Sequence, residues 1–185
     1  ANVMPSLGNI GQRFESRFTT LGGLEFVGIL DTPEGDREPP AFIFTESRRL
    51  LTVRPRCLVA ARDVITSRGG EIYLVGTSIS ADFGNEFIYR VHRVFEATEQ
   101  LEWNRMSVTT DTLTGLERES TSDNQGYPWC VIEYDKREDI DRQTKIAQER
   151  PRIMTAAYVE EGDELGGRTV IRVTTQLGLS FVETR

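Results

Sequence analysis

The chain has 185 residues, 38% of them hydrophobic and 28% charged, with a net charge of −7 at pH 7. That length supports one respectable core with long excursions, and no stretch approaches the roughly 20 apolar residues that a membrane helix needs. The acidic balance, in which 20 Arg and only 2 Lys supply the cations, argues against a general nucleic-acid binder.

Residues 1–10 lack the basic-then-apolar pattern of a secretory signal, and Ala1 is what remains when an initiator Met is trimmed, so synthesis in the cytoplasm is expected. Ile10, Phe14, Phe18 and Leu21 recur at helical spacing, Asn9 and Gln12 resemble a capping box, and Gly22-Gly23 would stop the helix. These signals predict an N-terminal helix over 9–22. A short apolar strand over 24–30 follows. Residues 31–40, DTPEGDREPP, hold three of the seven prolines and read as a loop or extended arm. Residues 41–45 and 50–53 read as strands around a polar break.

The clearest hairpin spans 62–76. Val64–Thr66 and Ile72–Val75 are rich in β-branched and apolar residues, and Gly69-Gly70 supply the turn. Residues 86–96, EFIYRVHRVFE, alternate as a half-buried antiparallel strand. Phe87, Tyr89, Val91 and Phe95 fall on the face assigned to the core, and Glu86, Arg90, His92 and Glu96 on the polar face. Residues 101–110 form a weaker strand. Residues 111–126 are almost wholly polar and read as a second extended arm. Strand composition returns at 127–134. Residues 136–152 carry mixed charge and read as a loop, before three closing strands at 153–159, 169–173 and 177–182. The prediction is a single mainly β domain over 1–185: an antiparallel β-barrel or sandwich with one N-terminal helix and long polar insertions.

The usual catalytic solutions are sparse, and neither a catalytic residue nor a cofactor is expected. The one histidine, His92, lies between Arg90 and Arg93 without a nucleophile elbow, and reads as a surface residue. One His and two Cys 73 positions apart do not make a zinc site. Glu133, Asp135, Glu138, Asp139 and Asp141 lack the glycine turn of a calcium loop and are interleaved with Lys136, Arg137 and Arg142. Cys57 and Cys130 read as free thiols in or beside apolar runs. No phosphate-binding glycine loop is present. Arg48, Arg49, Arg54, Arg56, Arg62 and Arg68 stand out as a candidate interface patch, because only Glu46 and Asp63 oppose them over 46–68.

The stretch LTVRPRCLVAARDVITSRGGEIYLVG resembles a segment of the head-closure, or stopper, proteins of tailed bacteriophages. Asp63, Ile65, Gly70, Tyr73 and Val75 match that family's hairpin pattern, and Ala61-Arg62 stand where a glycine normally precedes the Asp. The likeness covers roughly 30 residues and does not extend past Asp111. It implies a non-enzymatic virion protein, made in the host cytoplasm. Copies would form a ring below the portal and adaptor, seal the packaged DNA that passes through its channel, and receive the tail proteins. No membrane partner is expected. A tail-terminator, tail-tube or decoration protein shares this class. From other classes come a regulatory binding module and a β-barrel ligand binder or enzyme, the last with Arg90, His92, Arg93, Trp103 and Trp129 lining a pocket.

Overall fold

The computed structural model describes residues 15–31, 48–83, 86–110, 113–115, 117–134 and 151–185. The protein is mainly β, as the sequence predicts, but its organisation differs. Instead of one domain, the chain forms two compact units, Ala1–Ala97 and Thr98–Arg185.

The first unit is a closed barrel of six strands: β1 (Ser16–Thr20), β2 (Glu25–Asp31), β3 (Arg48–Val53), β4 (Val64–Ser67), β5 (Ile72–Phe83) and β6 (Glu86–Glu96). Around the barrel the order is β1-β2-β3-β6-β5-β4, with β4 returning to β1 and every pair antiparallel. Residues directly opposite each other in a sheet share a face. The pairs Leu51 with His92 and Val75 with Val94 therefore carry the inner face around the barrel. Phe18, Leu51, Val53, Val59, Ile65 and Val94 pack there, each 2% exposed or less.

The described part of the predicted helix is not helical. Residues 16–20 are strand β1, followed by a turn at Leu21 and Gly22. A spacing of four is also a multiple of the strand period of two, so Phe14 and Phe18 satisfied both patterns. Thr19-Thr20 then favour the extended chain. Leu21, which completed the helical stripe, is 72% exposed in the turn. Residues 9–14 lie outside the described residues, as do the arm at 32–40, the strand predicted at 41–45 and most of the segment 136–152.

The second unit is a curled sheet of eight strands: β7 (Glu99–Gln100), β8 (Trp103–Thr110), β9 (Glu117–Gly126), β10 (Trp129–Tyr134), β11 (Pro151–Thr155), β12 (Glu164–Leu165), β13 (Arg168–Gln176) and β14 (Leu179–Thr184). Their order is β7-β10-β11-β14-β13-β12-β8-β9. Residues 117–126, predicted as a polar arm, form strand β9, which pairs with β8 from Trp103–Gly126 out to Thr110–Glu117. Apolar alternation is a signature of strands with one face on a core, and β9, ERESTSDNQG, has no apolar side chain to alternate.

This sheet repeats the barrel topology of the first unit. β7 and β8 are successive segments of one strand, interrupted at Leu101-Glu102. β9 and β10 are likewise one strand interrupted at Tyr127-Pro128, and the Leu101 amide bridges the break by donating to the Pro128 carbonyl at 3.2 Å. With each pair merged, the neighbour order is that of the first unit, and β12 on β8 closes the circuit as β4 on β1 does.

The registers agree residue by residue. Ser16–Gly28 and Gly28–Val53 correspond to Glu99–Cys130 and Cys130–Thr155. Thr20–Ile65 corresponds to Trp103–Leu165, and Leu51–His92 to Ile153–Val182. Even the β-bulge recurs: the register steps from Val75–Val94 to Ser78–His92 in one unit and from Val170–Thr184 to Val173–Val182 in the other. Bulges re-aim a strand at a fixed point, so sharing one marks the two units as copies of a single design.

Candidate assembly surfaces

The copies agree most closely in the turn that precedes the fourth barrel strand. In the first unit the Ala60 amide donates to Asp63 Oδ2 at 2.8 Å and the Asp63 amide to the Ala60 carbonyl at 3.2 Å. Val75 exchanges backbone bonds with Asp63 and Arg62 at 2.9 and 2.8 Å. In the second unit Glu160, Asp163, Val170 and Gly162 make the same four bonds at 3.0, 3.2, 2.8 and 2.9 Å. The residue before the Asp has positive φ in both, 73° at Arg62 and 93° at Gly162. The sequence signal is Val-x-x-x-Asp-x-Ile at 59–65 and Val-x-x-x-Asp-x-Leu at 159–165. It was legible, but only against its own second copy.

Asp163 does more than shape the turn. It is 2% exposed, accepts from the Trp103 indole at 2.8 Å, and lies 3.7 Å from the Arg105 guanidinium. Arg105 sits 5.3 Å over the Trp103 ring, donates to the Tyr158 carbonyl at 3.0 Å and pairs with Glu160 at 3.3 Å. This group clamps the base of the β8–β9 ribbon to the Gly162 turn.

His92 is not on the surface. It is 1% exposed on the inner face, where it shares the β6 parity of Val94. The face read as polar is therefore the interior, and Phe95, taken as core, points from the opposite side of the strand while also being buried. His92 Nδ1 lies 3.2 Å from the Gly76 carbonyl at the bulge. Burial pushes its pKa below the ordinary 6.5, and the charge of Arg90 adds to this, while the Gly76 bond and Asp63 act in the opposite sense. Arg93 alternates to the other face, so Arg90, His92 and Arg93 do not converge on a common pocket.

The six candidate arginines do not form one patch either. Arg49 takes an inner-face position and lies 3.9 Å from Glu96. Beside them Tyr73 is buried; burial, Glu96 and Glu71 push its phenol up, opposed by Arg49. Arg48 is half-buried on the outer parity, and Arg62 is half-buried in the Asp63 turn. Arg68 is exposed in the β4–β5 turn, where its amide donates to the Arg17 carbonyl at 3.0 Å. Only Arg54 and Arg56 stand together. Both are exposed in the loop after β3, and Arg54 lies 3.6 Å from Glu15. They border a groove lined by Leu24, Phe26, Val27, Cys57 and Leu58, with Glu15 and Glu25 also on its edge.

Both cysteines are free thiols. Cys57 is half-buried at that groove, whereas burial pushes the Cys130 thiol up to about 12 in the core of the second unit. Among the described residues no three His, Cys, Asp or Glu side chains are grouped to hold a metal ion, and no helix is long and apolar enough to cross a membrane.

What distinguishes the copies is which hairpin each extends. In the first unit the β1–β2 hairpin turns tightly between Thr20 and Glu25, while β5 and β6 run on together to Phe83 and Glu86. In the second unit β13 and β14 turn tightly at Leu177-Gly178, and the equivalent of β1–β2 becomes the long β8–β9 ribbon. Comparison of the chain with protein-family models, with curated proteins and with solved structures gave no match.

Proposed function

We propose that this chain is a structural subunit that assembles with copies of itself, and that its place is the neck of a tailed bacteriophage, as a head-closure ring component. The observation that carries the assembly reading is the β8–β9 ribbon. A two-stranded ribbon alone in water is marginally stable, and β9, at the end of the sheet order, leaves one backbone edge of the ribbon without a strand neighbour among the described residues. Such an element is held best by another subunit. The sister unit, which turns tightly at the same point, needs no ribbon to close its barrel.

The neck assignment rests on the hairpin pattern at 59–75. It gains support from the recurrence at 159–165, where Gly162 supplies the glycine that Arg62 lacks. Within this reading the ring would join portal and adaptor to tail proteins and surround the packaged DNA. The acidic surplus suits a surface past which DNA slides, because cationic contacts are what retain phosphates.

The test is solution mass by light scattering across a concentration series, with electron microscopy of the same sample. Closed rings of uniform size support the proposal. A compact monomer at every concentration sinks it.

A further inference from the structure

We propose that both barrels carry the same docking surface, and that the aliphatic version on the first unit of one chain meets the aromatic version on the second unit of the next. This rests on the assembly reading above and deepens it.

The shared register locates the two surfaces. Counted back from the common turn, Leu58 and Tyr158 are equivalent, each standing directly before a buried valine, Val59 or Val159. They are 78% and 70% exposed, although the side chains that flank them, Cys57 with Val59 and Ala157 with Val159, pack on a core. Because Gly28 and Cys130 are equivalent, Val27 corresponds to Trp129 and Glu25 to Tyr127. In the first unit Val27 and Leu58 line one groove with Leu24 and Phe26. Of the eight exposed large apolar side chains among the described residues, Leu24, Val27, Leu58, Tyr127 and Tyr158 therefore fall at one place in the barrel design. A single exposed apolar group needs no explanation. The same place left apolar in both barrels, by different residues, marks a surface that each barrel uses.

The chemistry of the two versions selects the occupant. The first is aliphatic and carries two arginines, of which Arg54 faces Glu15 while Arg56 has no ion-pair partner among the described residues. The second offers the rings of Tyr127, Trp129 and Tyr158. A guanidinium is attracted to an aromatic face, and Tyr, Trp and Arg are the side chains that anchor protein interfaces in pairs. Two first-unit surfaces would instead bring Arg54 and Arg56 against their own copies. Each version supplies what the other lacks, so a second copy of this chain completes both. One chain holds one of each, which makes the contact head-to-tail, and such contacts close into rings when the rotation permits.

Blocking the surfaces separately tests the pairing in the full chain. Leu58→Arg disables the first, and Tyr158→Arg or Tyr127→Arg the second. Circular dichroism identifies the variants that fold. Each variant alone is expected to need a concentration about tenfold or more higher to assemble. Leu58→Arg mixed with Tyr158→Arg should then form pairs by light scattering where each alone is monomeric, because one intact surface of each kind remains.

If the wild-type chain assembles and the folded variants assemble as it does, this contact is wrong and the assembly reading survives. Variants that each stop at pairs on their own would show like surfaces meeting, which overturns the head-to-tail contact. Monomeric variants that stay monomeric when mixed would mean that the surfaces meet something other than each other. A wild-type chain that stays monomeric at every concentration removes the assembly reading and this contact with it.

Discussion

At the scale of single residues, the two copies of the turn form an internal experiment. Gly162 and Arg62 hold the same left-handed position, which costs a residue with a Cβ about 1 kcal/mol relative to glycine. Gly162→Ala is therefore expected to destabilise the second unit by about 1 kcal/mol, read as a lower urea midpoint. The paired aspartates differ more. Asp63 satisfies one amide in a half-buried turn, whereas Asp163 also holds Trp103 and faces Arg105. Asp163→Ala strands the Trp103 indole N–H and removes one of the partners of Arg105, which keeps Glu160 and the Tyr158 carbonyl. It is expected to cost about 2–3 kcal/mol, against about 1 kcal/mol for Asp63→Ala.

His92 gives the pH dependence. Its folded pKa lies below the unfolded value near 6.5, so below that pH the unfolded chain binds the extra proton first. The stability of the first unit is therefore full above about pH 6.5 and falls as pH drops through that value, until the folded pKa is reached. The slope is at most about 1.4 kcal/mol per pH unit for one proton. Val182 occupies the equivalent position in the sister barrel, so His92→Val has a structural precedent. Urea midpoints by circular dichroism at pH 7 and pH 5 should converge in that variant relative to wild type. An unchanged pH difference would falsify the assignment.

Elements show where the sequence was legible. The hairpin over 62–76 and the strand over 86–96 stand in the structure as β4–β5 and β6, because β-branched runs and a Gly-Gly turn are local signals. The face of β6 was inverted for a physical reason. A six-stranded barrel admits few side chains, and here one interior place is filled by a histidine, which hydropathy assigns to solvent. Of the β8–β9 ribbon, β8 stands where a weaker strand was read over 101–110, whereas β9 was illegible because ERESTSDNQG has no apolar residue on either face, which in a sequence is indistinguishable from an arm. The ribbon's role is separable from the fold. Replacing residues 107–121 with Asn-Gly closes the ribbon with a two-residue turn beyond the Met106–Ser122 pair and leaves the Trp103–Arg105–Asp163 clamp untouched. The trimmed chain is expected to keep native tryptophan emission and a urea midpoint equivalent to within about 1 kcal/mol, while losing assembly by light scattering.

For the molecule as a whole, the averaged composition hides two units of different charge. The first unit has eleven arginines against twelve acids, a net of −1, and the second eleven cations against seventeen acids, a net of −6. Each unit has its own apolar core, one centred on Leu51, Ile65 and Val94 and the other on Ile153, Leu165 and Val182. Separate cores predict separate melting. Both tryptophans, Trp103 and Trp129, belong to the second unit, so fluorescence follows that unit alone while circular dichroism follows both. Leu51 is fully buried in the first unit, and Leu51→Ala is expected to cost that barrel about 2–5 kcal/mol. In urea the variant should show an early dichroism transition with the fluorescence midpoint unmoved. If the fluorescence midpoint shifts in step, the two barrels fold as one cooperative body despite their separate cores.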